Sequence, residues 1–301
     1  MPYWVWIGSL EEGLLYGLMA LGIYISFRIL SLPDLTVDGT FPLGAAVAAS
    51  LITAGVSPIQ ATLAALLGGC LGGLITGFLH TKLRISGLLA GILSMSALYS
   101  VNLRIMGRSN IPLLRQPTIF RQLEDAGVPF DYAGLIGVGI ALLLALTFLN
   151  WFLRTEVGHA LRATGDNEQM VRSLGVNTDG MKLIGLALAN GLVALSGALL
   201  AQSQGYADAS MGIGMIISGL ASVILGEALV RPKRIFSAAL AVIVGSIAYR
   251  TAILLALRSG FAPTDLKIVT ALLVVSALAA PAVKDQIKGY NRRRAARMRA
   301  R

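Results

Sequence analysis

The feature that most constrains this chain is the recurrence of apolar runs about twenty residues long, with charge confined to their ends. A helix rises about 1.5 Å per residue, so such a run spans a hydrocarbon core of roughly 30 Å. Inside that core every backbone N–H and C=O must find a partner within the protein, which leaves helices or closed barrels. Runs this long, without the alternation of a barrel strand, select helices. Segments 9–30, 38–54, 58–79, 85–102, 133–153, 181–203, 212–229, 235–257 and 266–283 are the expected spans, the second being the shortest. The predicted fold class is therefore all-α integral membrane, with about nine (8–10) transmembrane helices. Composition agrees: 13% of residues are charged, about half the share in a soluble domain. The 34 glycines lie mostly within the apolar runs, as close-packed membrane helices require.

The formal net charge of +10 invites a nucleic-acid partner, but its location argues otherwise. Residues 284–301 hold Lys284, Lys288, Arg292, Arg293, Arg294, Arg297, Arg299 and Arg301 against a single acid, Asp285. A basic tail beside a membrane helix suits anionic lipid headgroups of the cytoplasmic leaflet, and no nucleic-acid role is expected. Residues 1–283 then form the membrane domain. With nine spans and the tail inside, the N-terminus lies outside. Cytoplasmic segments carry Arg28, Lys82, Arg84, Arg154, Arg162, Arg172, Lys182, Arg231, Lys233, Arg234 and the tail. The outer side keeps Arg104, Arg108, Arg115, Arg121, Arg258 and Lys267. That bias obeys the positive-inside rule. The start of the chain lacks the basic onset and small-residue cleavage site of a signal peptide, so the first helix is expected to be retained.

Two connections are long. The outer one, 103–132, contains Pro112, Pro117 and Pro129 and four arginines, Arg104, Arg108, Arg115 and Arg121. These would meet an acidic patch on an extracytoplasmic partner, unless Glu124, Asp125 and Asp131 neutralise them locally. The inner one, 154–182, reads as helical pieces, including a short charged helix. Asp166 is its expected N-cap, Gln169 would complete a capping box, and Gly175 would end it. An internal repeat is also suggested. Gly39 and Gly44 precede Ala45-Ala46-Val47 as Gly214 and Gly219 precede Leu220-Ala221-Ser222, in segments running in opposite directions on this map.

Enzyme chemistry has no residues to stand on. No lysine follows a glycine and precedes Ser or Thr, so there is no phosphate-binding loop. His80 and His159 stand far apart near span ends, Cys70 is the only cysteine, and no nucleophile elbow occurs. Polar groups inside spans are the remaining candidates: Asp38, Thr40, Ser94, Ser96, Tyr99, Asn102 and Asn190, with Thr36, Ser196 and Gln202 beside them. They either line a polar path or bond helix to helix, and both readings stay open. Arg250, inside a span, must be paired, water-facing or snorkelling.

Five stretches resemble a known family. LPDLTVDGTFPLGAAVAA (32–49) and LLAGILSMSALYSVNLRIMG (88–107) look like its first-half signature and following span. ALRATGDNEQMVRSLGVNTD (160–179) looks like its cytoplasmic loop, and LALANGLVALSGALLAQSQGYAD (186–208) with MGIGMIISGLASVILGEAL (211–229) continue the match. The family is the branched-chain amino acid and ribose permease superfamily of bacterial ABC importers, in its tryptophan/tyrosine-type branch. The resemblance implies a type II-like importer permease fold with an inverted repeat. It also implies a homodimer of this chain, two ABC ATPase subunits and an extracytoplasmic solute-binding protein. ATP–Mg would sit in the ATPase, with no cofactor in this chain. By position it makes Gly158, Arg162, Gly165, Asp166, Asn167, Gly175 and Asn177 the coupling contact with the ATPase. The cargo implied is an amino acid, aromatic in this branch, while neighbouring branches carry sugars and nucleosides. A secondary transporter driven by an ion gradient is the alternative, and it would place ionisable groups at mid-span, where only Arg250 approaches that position.

Overall fold

The computed structural model describes residues 3–232 and 234–260, together with positions 268, 270–272 and 275. Helix α1 (Tyr3–Ile23) runs into a π-helical segment, Tyr24–Ile29, and a non-helical stretch, 30–36. Helices α2 (Val37–Thr53), α3 (Pro58–Thr81) and α4 (Gly87–Met106) follow. Their boundaries have local causes. Ser57 and Ser86 cap α3 and α4 by accepting from Gln60 N and Leu89 N, with Pro58 at the first helical position of α3. Gly107 ends α4 in the left-handed region at φ 66°.

The outer loop is more structured than its prolines suggest. It contains strand β1 (Asn110–Pro112) and helix α5 (Ile119–Asp125) before α6 (Phe130–Phe152). The helical pieces expected in the inner loop are two, α7 (Glu156–Asp166) and α8 (Glu168–Ser173). Next come α9 (Thr178–Gln204), strand β2 (Tyr206–Asp208), α10 (Met215–Val230) and α11 (Ile235–Arg258). Strand β1 pairs antiparallel with β2, with Ile111 opposite Ala207. Apart from this two-stranded ribbon the described chain is all-helical.

Each of the first eight expected spans coincides with an apolar helix. Six of these, Trp4–Ile29 (α1 with its π-helical extension), α3, α4, α6, α9 and α11, are long and apolar enough to cross a membrane. The other two, α2 and α10, have 17 and 16 residues. Those lengths reach only about 25 Å at about 1.5 Å per residue. The expected span 266–283 and the basic tail 284–301 lie outside the described residues.

Two long helices are central. In the apolar windows of α1 and α9, 72% of residues are buried, against 28–39% in α3, α4, α6 and α11. The outer helices therefore show one face to the surroundings. On α3 that face is apolar beyond Gln60 in the first turn, with Ile59, Leu63, Leu67, Leu71, Ile75 and Phe78 at helical spacing. Close backbone approach sets the interior packing. A Cβ added at Gly69 or Gly73 of α3 would collide with the carbonyl oxygens of Asn190 and Leu186 on α9. Small residues let two membrane helices approach until dispersion contacts along the whole seam substitute for the missing hydrophobic drive.

Replacing Gly73 with Val should therefore separate α3 from α9. The cost expected of overpacking is about 1–3 kcal/mol. A lowered thermal midpoint and poorer monodispersity in detergent would register it, while Leu67→Val on the exposed face should leave both unchanged.

Candidate functional site

The two short helices begin next to each other. The Asp38 carboxylate, in the first turn of α2, accepts from the backbone N–H of Gly214 at 2.9 Å and of Ile216 at 2.8 Å, where α10 starts. From that meeting point they diverge. Ser50, near the far end of α2, donates to the Ile105 carbonyl at the end of α4. Glu227, near the far end of α10, pairs with Arg28 at 2.8 Å, beside the end of the π-helical segment. So α2 and α10 run from one central point to opposite ends of the bundle.

A buried hydrogen-bond network holds the start of α2. Asn190, at the middle of α9, donates to the Asp34 carboxylate at 2.7 Å and accepts from Thr40 at 2.7 Å. Asp34 also accepts from Thr36 N at 2.9 Å, closing a turn after Pro33. The Thr36 and Thr76 hydroxyls lie 2.8 Å apart, and Thr76 donates to Ser94 at 2.7 Å. The network thus joins α9, α2, α3 and α4. Asn102 of α4 donates to the Gly39 carbonyl at 3.1 Å. Thr36, Thr40, Asn102 and Asn190 are all completely buried.

The seven polar span residues therefore fall into two groups. Asp38, Thr40, Ser94, Asn102 and Asn190 bond element to element within the chain. Ser96 and Tyr99 stand on the exposed face of α4, and Ser100, unremarkable as a lone serine in an apolar run, stands with them. Among exposed helix faces this one is mixed, since Ile92, Leu93 and Val101 share it with three hydroxyls. Asp34 and Thr76 also escaped sequence reasoning. The Pro-Asp-x-Thr turn at 33–36 was the available signal for Asp34. Thr76 had none, since one threonine in an apolar run is unremarkable.

Arg250 is paired. Its guanidinium lies 3.4 Å from the Tyr16 ring centroid and 3.5 Å from the Glu12 carboxylate, binding α11 to α1.

In the inner loop Asn167, not Asp166, is the cap. It ends α7 and starts α8, and its side chain accepts from Met170 N at 3.0 Å. Asp166 is exposed in the last turn of α7, where an N-cap role is geometrically impossible. Gly175 does follow the helix stop, at φ 84°. Asn177 caps α9 through Gly180 N at 3.1 Å. Gly158 and Gly165 are seats: a Cβ would strike Phe152 O at the end of α6 and Ile29 O at the end of the π-helical segment, respectively. The Nε of Arg162 is buried without a hydrogen-bond partner among the described residues.

Helix α8 is fastened by charge. Glu168 pairs with Lys182 at 2.7 Å and Arg172 at 3.2 Å, and Arg172 reaches Asp179 at 3.1 Å. The Lys182 hydrogen bond is the main reason the Glu168 carboxyl titrates below its ordinary value. Met170 and Leu174 project outward from this charged collar at 51% and 73% exposure.

At the other end of the molecule Arg104, Arg108, Arg115 and Arg121 are all exposed. Among the described residues none of them has a carboxylate within ion-pairing distance, so Glu124, Asp125 and Asp131 do not neutralise them directly. The Arg121 guanidinium donates to the Leu114 carbonyl at 3.4 Å. It also borders a cavity of about 460 Å³ with Glu11, Thr118, Asp131, Gln202 and Ser203.

Residues 7–278 match the family described as branched-chain amino acid transport system / permease component. The chain is 42% identical over 285 residues to the tyrosine transport system permease protein of Clostridioides difficile, covering 95% of this chain and 94% of that one. An uncharacterized protein of Rickettsia prowazekii is 35% identical, with 93% and 98% covered. The autoinducer 2 import system permease protein LsrC of Escherichia coli is 28% identical across 64% of this chain and 55% of its own length. Among solved structures, a metal-chelate type ABC transporter in an inward-facing conformation superposes with a TM-score of 0.53 at 18% identity. That superposition covers 92% of this chain and 85% of that one, a likeness of fold.

Two outcomes test the site. Asp38→Ala leaves two N–H groups of α10 without their acceptor and should cost about 1–2 kcal/mol of stability, with Asp38→Asn milder, read by thermal unfolding in detergent. For Glu168 the lowered carboxyl pKa sets the sign. Its stabilisation of α8 is complete above about pH 4.3, the ordinary glutamate value. It is lost as pH falls through the lower folded value. Hydrogen exchange of α8 should rise across that acid window in the parent and be insensitive to it in Glu168→Gln.

Proposed function

The chain belongs to the branched-chain amino acid transport permease family, as the membrane-spanning component of an ABC transporter, and from that premise we propose that it imports an aromatic amino acid. The observation that carries this is the 42% identity, running through nearly the whole of both chains, to a permease named for tyrosine transport. Two copies of the chain pair across the exposed face of α4, and Ser96, Tyr99 and Ser100 of each copy line the path between them. Hydroxyls there supply hydrogen bonds to a polar solute without fixing a charge that would hold it too tightly. Asp38, Thr40, Ser94, Asn102 and Asn190 stand behind this face and keep α2, α4 and α10 in place.

Each copy docks a separate ATPase, in which ATP–Mg is hydrolysed, through the loop 154–182. Met170 and Leu174 are the apolar contacts, and Arg162, Asp166 and Asn167 border them. Gly158, Gly165, Gly175 and Asn177 give the loop its shape. A solute-binding protein meets Arg104, Arg108, Arg115 and Arg121 on the opposite side, where opposite charge speeds encounter. The N-terminus lies on that outer side and the basic tail on the inner leaflet. With the span at 266–283 the count is nine. The opposed courses of α2 and α10 from Asp38 support an inverted repeat of the two halves.

The test is uptake of labelled tyrosine by proteoliposomes holding the assembled complex and its binding protein. Tyrosine should accumulate with ATP inside, phenylalanine or tryptophan should compete, and ribose or a nucleoside should not. Competition by the sugar alone would reassign the cargo, and uptake surviving ATP removal but abolished by a protonophore would remove the ATPase from the scheme. Met170→Glu/Leu174→Glu should cut uptake by roughly tenfold or more, as burying a charge in a docking contact costs several kcal/mol, with membrane insertion unchanged.

A further inference from the structure

The inner end of the bundle carries a cationic cavity beside exposed apolar side chains of α11 and α6. Arg154 follows the end of α6, and Arg234 precedes the start of α11. Together with Ile235, Phe236 and Ser237 they line a cavity of about 590 Å³. No acid lines it. The neighbouring carboxylate, Glu227, is already engaged by Arg28 at 2.8 Å. Neither Arg154 nor Arg234 has a carboxylate within 4 Å among the described residues. Ser237 is occupied with its own helix end, accepting from Arg234 N at 3.0 Å and donating to Arg234 O at 2.7 Å. Free donors in the cavity are thus the two guanidiniums, at a helix start that favours negative charge.

What extends from the cavity is apolar. Phe236, Leu240 and Val244 follow at four-residue spacing on α11 and are 42%, 38% and 44% exposed. On α6, above Arg154, Trp151, Phe148 and Leu144 are likewise exposed. A soluble anion would satisfy the guanidiniums but leave this stripe uncovered. A cationic peptide from the chain's own tail would be repelled. We propose that the cavity is a binding site for an anionic phospholipid, its phosphate held between Arg154 and Arg234 and an acyl chain lying along Phe236, Leu240 and Val244. The bound lipid would seal the seam between α6 and α11 at the inner surface. Its site is distinct from the basic tail, whose attraction to lipid needs no groove.

Native mass spectrometry of the purified full-length protein tests this, with phosphatidylglycerol, phosphatidylcholine or soluble glycerol 3-phosphate added in turn. Phosphatidylglycerol should be retained as a discrete adduct. Arg154→Gln/Arg234→Gln should weaken that retention roughly fivefold for each guanidinium lost. Arg231→Gln, an exposed neighbour outside the cavity, should not change it. Leu240→Gln, at an exposed position tolerant of substitution, should weaken phosphatidylglycerol retention with both arginines intact, so the proposal stays testable if the double variant folds poorly. Equal retention of phosphatidylcholine, full competition by glycerol 3-phosphate, or an unchanged adduct in both variants would overturn it.

Discussion

A helix that starts within a packed bundle must find acceptors for its first backbone N–H groups, and α2 and α10 both start there, beside Asp38. Everything near the centre follows from meeting that demand. The Asp38 carboxylate takes two donors of α10. Asp34, Asn190 and Thr40 anchor the segment that leads into α2. Unsatisfied backbone groups in such surroundings cost several kcal/mol each. The polar residues are therefore conditions for having short helices at all. Short helices in turn let the chain change direction within the bundle, and broken paths of this kind belong to proteins that must open and close.

Much of this was legible beforehand. Long apolar runs fixed the positions of the helices to within a few residues, because a membrane permits so few alternatives. The difference between α2 and α3 was visible as a shorter run after Pro33. Partnership was not visible. Nothing in the sequence distinguishes Asn190, which bonds Thr40 of α2 and Asp34 before it, from Tyr99, which faces outward, because both are single polar residues at helical spacing. Only the rotation of each helix decides that, and rotation is set by glycine seams such as Gly69 and Gly73 against α9. Asp166 and Asn167 make the same point on a smaller scale. Either can cap a helix, and a one-residue shift in where α7 ends chose Asn167.

Exposure separates the outer helices by chemistry. Beyond Gln60 in its first turn the face of α3 is aliphatic and aromatic, as lipid contact demands, whereas α4 offers hydroxyls among its apolar groups. A lone monomer in lipid has no use for that mixture. It becomes sensible when a second protein surface or water lies opposite, which ties the family assignment to a particular side of the molecule.

The shared asparagine between α7 and α8 has a mechanical consequence. Helix α7 is seated against the ends of α6 and the π-helical segment through Gly158 and Gly165, while α8 is strapped to α9 by Lys182 and Asp179. One residue, Asn167, is the pivot between these two attachments. A load applied at α8 therefore divides at a hinge: one share travels up α9 toward Asn190, and the other turns through α7 into the base of α1. The two most deeply buried helices are thus pulled from a single point, like two limbs of a compass.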